Sequence, residues 1–152
     1  MKNTFLISRR LYLSMRDQQE RENSMSRIRD VLAQLPSLRV AYVYGSFLSR
    51  DDFRDIDIAL LVDEEVAKGD DPAYASHAAD LLGQSLGFRP DFDVRVINAE
   101  PAWFRYEVIS SGVPVYVRNE EDRIDFETGV LLEYQDIKFM YDLFDREYLA
   151  KA

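Results

Sequence analysis

Two runs of strand-forming residues, Leu38–Tyr44 (LRVAYVY) and Asp55–Val62 (DIDIALLV), stand ten residues apart and constrain the fold more than any other part of the chain. The first is rich in β-branched and aromatic residues and reads as a buried strand that ends at Gly45. The second opens with strict polar and apolar alternation, the period of a strand. The intervening residues, Gly45–Arg54, are enough for one or two helical turns and little more.

Around this pair the chain alternates helical and extended patterns. A polar stretch from Arg16 to Asp30 passes into Ile28, Val31, Leu32 and Leu35, spaced three and four apart as on an amphipathic helix, and Pro36 closes it. Pro72–Leu86 predicts a helix stopped by Gly87. Phe92–Ile97 (FDVRVI) predicts a third strand, and Pro101–Ser111 a short helix with Gly112 in a left-handed cap. Val113–Val117 predicts an edge strand, because Pro114 has no amide hydrogen for a ladder. Asp125–Tyr148 is the longest helical pattern. The sum is a small α/β (α+β) domain, a mixed sheet with helices packed on it. Met25 stands just upstream of a sufficient helix, so residues 1–24 read as an N-terminal extension and 25–152 as the domain.

Composition narrows the function. At 152 residues the chain is long enough for one core without metal or disulfide staples. It has no cysteine, which removes thiol nucleophiles and thiolate metal sites and fits a reducing, cytoplasmic setting. Arg9 and Arg10 interrupt the apolar N-terminal residues, so no signal-peptide core or membrane span is expected. Net charge is −9, and the basic residues gather early: residues 1–30 hold seven Lys and Arg against four Asp and Glu. The acidic remainder is a poor ligand for a nucleic-acid backbone, whose affinity comes from clustered Lys and Arg. Solubility alone explains most of the acidity.

The chemistry lies between the two strands. Gly45 lets the backbone approach a phosphate, and Ser46 offers a hydroxyl and a backbone N–H at an expected helix start, where an anion is favoured. Asp55 and Asp57 are two apart on a strand, so both carboxylates share one face. Two like charges so placed repel unless a cation sits between them, and magnesium suits hard oxygen ligands and phosphates. An Asp-x-Asp alone is weak evidence, since surface strands often begin with acids. Arg50 and Arg54 fit either phosphate contacts or a solvated turn. His77 lies between alanines and reads as a surface or packing residue. Arg95 is left between a nucleotide contact and a pair with Asp91 or Asp93.

Strand, Gly45-Ser46, linker, Asp55-Ile56-Asp57, and a later strand carrying Asp93 together resemble the DNA-polymerase-β-like nucleotidyltransferase superfamily, most closely its smallest members, the MNT proteins. The resemblance runs from about Ser26 to the end. It includes Phe92–Asn98, the Ala102–Tyr116 helix and strand, and Phe126-Glu127 with Tyr134-Gln135-Asp136 on the terminal helix. Asp91 is a rival to Asp93, which Phe92 and Val94 pin inside the strand. The chain departs from the pattern in a shorter link between Ser46 and Asp55, in Arg50-Asp51 where the family has Arg-Gly, and in Arg54 before Asp-x-Asp.

The resemblance implies a nucleotidyltransferase palm fold and a magnesium-dependent transfer of AMP from ATP. Asp55, Asp57 and Asp93 would be the metal-holding and catalytic residues, and Gly45 and Ser46 would bind the nucleotide. It also implies a partner, a HEPN-type toxin modified on a tyrosine hydroxyl and so neutralised. The terminal helix carries Phe126, Val130, Tyr134, Ile137, Tyr141, Phe144 and Tyr148 in one apolar stripe. Burial against the sheet explains the stripe; Leu132, Phe139 and Leu143 lie off it and point to a partner or a self-dimer. Two rivals stand beside this reading. One is a transferase for a small molecule, which needs acceptor-binding structure not visible here. The other is a non-catalytic antitoxin that works by occlusion.

Overall fold

The computed structural model describes residues 2–86 and 91–151, with side chains from Asp17 onward. Its elements are α1 (Lys2–Leu32), β1 (Leu38–Tyr44), a single 3-10 turn (Ser46–Leu48), β2 (Asp55–Val62), α2 (Glu64–Lys68), α3 (Asp71–Leu86), β3 (Asp91–Val96), α4 (Ala102–Ser111), β4 (Val113–Val117) and α5 (Glu120–Phe144). The four strands form one mixed sheet in the order β3-β2-β1-β4. β1 runs antiparallel to both β2 and β4, and β3 returns parallel to β2 after the α2–α3 crossover. The expected α/β architecture is present, and Pro114 sits on an edge strand.

Each face of the sheet carries its own core. Ile56, Ile58 and Leu60 of β2 point toward α1 and α3, where they meet Ile28, Leu32, Ala78 and Leu82. Ala59 and Leu61 point the other way, with Val40 and Tyr42 of β1, toward Val108 of α4. A register shift between Leu38 and Val40 lets the two residues serve opposite faces despite their even spacing. β1 and β2 are thus covered on both sides, which explains their nearly unbroken apolar runs.

Three expectations change. α1 is longer than the terminal helix and runs unbroken through Met25, because Arg16–Ser24 contains no Gly or Pro to stop it. Gly112 is extended, not left-handed. It is needed for room: a β-carbon there would collide with Val108 O and stand 3.1 Å from Val43 O. α5 is buried only in its first half. Val130 is covered and Tyr134 stacks on Tyr106 at 3.9 Å, but Ile137, Tyr141, Phe144 and Tyr148 are all exposed. Burial therefore explains only the early part of the stripe. α2 was not anticipated, and Gly87, the expected helix stop, lies outside the described residues. Among those residues no helix is long and apolar enough to cross a membrane.

Candidate active site

β2 and β3 both open with acids. The parallel register sets Asp55 opposite Asp91 and Asp57 opposite Asp93. Parallel pairing is what gathers them, since an antiparallel partner would carry its leading acids to the far end of β2. Alternation along β2 puts Asp55 and Asp57 on the face of Ala59 and Leu61, which α4 and α5 cover farther along. Asp57 is half-buried, and Asp55 and Asp93 are exposed. Burial raises the Asp57 pKa above the usual carboxylate range. The charges of Asp93 and then Asp55 raise it further, and Arg95 opposes them.

Arg95 resolves toward Asp93, its Nε standing 3.9 Å from Asp93 Oδ1. Its guanidinium also lies 5.7 Å from the centre of the Phe104 ring. Phe104 meets the ring of Tyr44 edge-on at 5.9 Å, and Tyr44 is the cross-strand partner of Asp57. Burial, with the Asp57 charge behind it, pushes the Tyr44 phenol up to about 12. Tyr44 is therefore a neutral hydrogen-bond donor beside the acids near pH 7. It stands immediately before Gly45-Ser46, at the end of a strand pattern that gives it no signal of its own. Phe104 carried no local signal.

The other wall is the turn between the strands. Ser46, Arg50, Asp52, Phe53, Arg54, Asp55 and Asp57 line a cleft of about 380 Å³. Gly45 has φ +79°, and a β-carbon on it would overlap the carboxylate of Asp57. Its missing side chain thus makes room for Asp57, before any phosphate is considered. The expected helix start is only one 3-10 turn, too short for a helix dipole to gather an anion. Ser46, Arg50 and Arg54 are the polar residues that line this end of the cleft beside the acids. Arg50 donates from Nε and Nη2 to the two oxygens of Asp52 at 2.9 and 2.8 Å, which holds the Asp52 carboxyl below its ordinary range. His77 is exposed on α3.

Among the described residues, no three His, Asp or Glu side chains form a ready-made metal centre. The donor chemistry nevertheless fits a hard divalent cation. Four carboxylates, Asp55, Asp57, Asp91 and Asp93, share one end of two neighbouring strands, and the charges of Asp93 and Asp55 both oppose ionisation of Asp57.

Residues 26–121 match the family described as Polymerase beta, Nucleotidyltransferase. The chain belongs to that family. No match was found among curated protein sequences. Solved structures share the fold at low identity. A chain from the complex of tri-AMPylated Shewanella oneidensis HEPN toxin with MNT antitoxin superposes with a TM-score of 0.60 at 18% identity, covering 85% of this chain and 98% of that one. A chain from a toxin–antitoxin structure with AMP-PNP gives 0.58 at 19%, covering 84% and 98%. A chain from the MntA–HepT complex gives 0.54 at 19%, covering 86% and 98%. For this nucleotidyltransferase, the overall fold is thus the framework shared with those structures.

Proposed function

We propose that this nucleotidyltransferase moves AMP from ATP to a tyrosine hydroxyl of a partner HEPN-type toxin and so acts as its antitoxin. The observation that carries the reading is the register of Asp57 with Asp93 on neighbouring parallel strands, with Asp55 two residues away on the same face. The field of Asp93 and Asp55 on Asp57 supports Asp93, rather than Asp91, as the third acid. Similar chains occur in complexes with an AMPylated toxin and with AMP-PNP, which supports the donor and the acceptor class.

Asp55, Asp57 and Asp93 would hold magnesium, which supplies neutralisation of charge on the triphosphate and the departing pyrophosphate. Gly45 and Ser46 border the triphosphate, Ser46 donating from its hydroxyl and N–H. The acceptor oxygen attacks the α-phosphorus as the bond to the α–β bridging oxygen breaks, and the hydroxyl proton passes to the Asp93 carboxylate. The protein's contribution is positioning and charge stabilisation. The exposed half of α5 offers an apolar surface for the toxin.

Intact-mass spectrometry of the toxin after incubation with this protein, ATP and magnesium tests the proposal. One or more AMP additions are expected. The Asp55→Asn, Asp57→Asn double variant should lose the adduct and keep the complex. The occlusion reading draws support from Arg50, whose donors are engaged by Asp52 rather than free for phosphate. An unmodified toxin, still neutralised by the double variant, would establish occlusion instead.

A further inference from the structure

We propose that Arg21 is a positioning residue for the nucleotide site, clamping the turn between β1 and β2 against α1. The inference rests on the nucleotide-binding reading above and deepens it. Arg21 lies upstream of Met25, in the segment that reads as an extension by sequence. Its Nη2 donates to Arg50 O at 2.7 Å and to Asp51 Oδ1 at 2.7 Å, bridging 29 and 30 positions of chain. Both backbone polar groups of Arg50 are thereby engaged, since its own N–H donates to Ser46 O at 2.8 Å. The bond to a carbonyl from a guanidinium is charge-assisted, the stronger kind.

Four features make the clamp bear on the site. The turn it grips carries Ser46, Arg50, Asp52 and Arg54, which line the cleft with Asp55 and Asp57. Arg21 itself is mostly covered, with 28% of its side chain exposed against 81% for Asp51. The helix beneath it is anchored about two and three turns on by Ile28 and Leu32, both fully buried. On the inner side Phe47 is buried against Phe53, ring centres 4.9 Å apart. The turn therefore sits between an aromatic pair and a charged tether from a rigid helix. Only eight residues separate Ser46 from Asp55, and the tether fixes the path of that short backbone at Arg50.

Full-length wild type, Arg21→Ala, Arg21→Lys and Asp51→Asn are compared by calorimetry with ATP and magnesium, and by amide hydrogen exchange. Arg21→Ala should weaken ATP binding about fivefold, the scale of one charge-assisted bond lost at a positioning site. Exchange at Ser49 and Arg50 should quicken, and the thermal midpoint should barely move. Arg21→Lys should recover most of the affinity, and Asp51→Asn, which leaves the carbonyl bond, should stay near wild type. Unchanged exchange in Arg21→Ala, or quickened exchange with wild-type affinity, overturns the proposal. Should wild type itself bind no ATP, the transferase reading fails instead; exchange alone then judges the clamp, quickened sustaining it and unchanged overturning it.

Discussion

The carboxylate of Asp57 occupies the space that a side chain on Gly45 would fill, so one residue of the Gly-Ser turn and one of the Asp-x-Asp strand are sterically coupled. Gly45 also holds φ +79° and ψ −155°, a region essentially confined to glycine, where an L side chain costs about 1–3 kcal/mol. Gly45→Ala should therefore lower stability by about that amount and push Asp57 out of place. Calorimetry is expected to show magnesium-dependent ATP binding reduced beyond what the stability loss explains. Normal binding by the variant would detach Gly45 from the site.

Asp57 makes a pH-dependent contribution with a definite sign. Its folded pKa lies above the ordinary value, so in the ordinary-to-raised interval the folded state binds more protons than the unfolded one. Without metal, its contribution to stability falls as pH rises through that interval and has reached its minimum by neutral pH. Asp57→Asn should then raise the melting temperature of the chelator-treated protein at pH 7. Well below pH 4 the two proteins should converge. The same variant should lose the gain in ATP affinity that magnesium gives wild type.

Partner binding is expected to use the outer half of α5. Phe139 and Tyr141 are each 68% exposed, so Phe139→Ser with Tyr141→Ser removes apolar surface without opening the core. The melting temperature should move by no more than about 2–4 °C, since each exposed substitution rarely exceeds about half a kcal/mol. Co-purification with the toxin should fall at least about tenfold if these rings are anchors of the interface. Undiminished capture would move the interface elsewhere.

A chain beginning at Met25 keeps Met25, Ile28, Val31 and Leu32, which pack on the core, and loses Arg21. It is expected to fold, and to bind ATP about as weakly as Arg21→Ala does. A large fall in the melting temperature would show that residues upstream also stabilise the domain. The side chains of Phe5, Leu6 and Leu11 lie outside the described residues.

Local pattern made several features legible. The bounds of β1 and β2 follow from their composition and flanking residues, and the edge position of β4 follows from Pro114. The pairing of Asp55 with Asp57 on one face is a consequence of strand period alone. Family-like order in the chain, Gly45-Ser46, then Asp-x-Asp, then Asp93, was sufficient to place the protein among nucleotidyltransferases.

What depended on contacts across the chain stayed hidden. Asp91 and Asp93 share a face by the same period, and only the parallel register with β2 sets Asp93 beside Asp57. Gly112 reads as a cap by position, yet its constraint comes from carbonyls of α4 and β1 that converge on it. The stripe on α5 is continuous in sequence because helical period takes no account of where a sheet ends. It is buried at Val130 and bare from Ile137 onward, since the helix outruns the body that covers it. Sequence by itself thus determined the elements and the chemical types at their ends, because both depend on neighbours a few residues away. Tertiary structure alone decided which acid faces which, what the glycines make room for, and that Arg21 reaches the site, because each is a meeting of residues far apart in the chain.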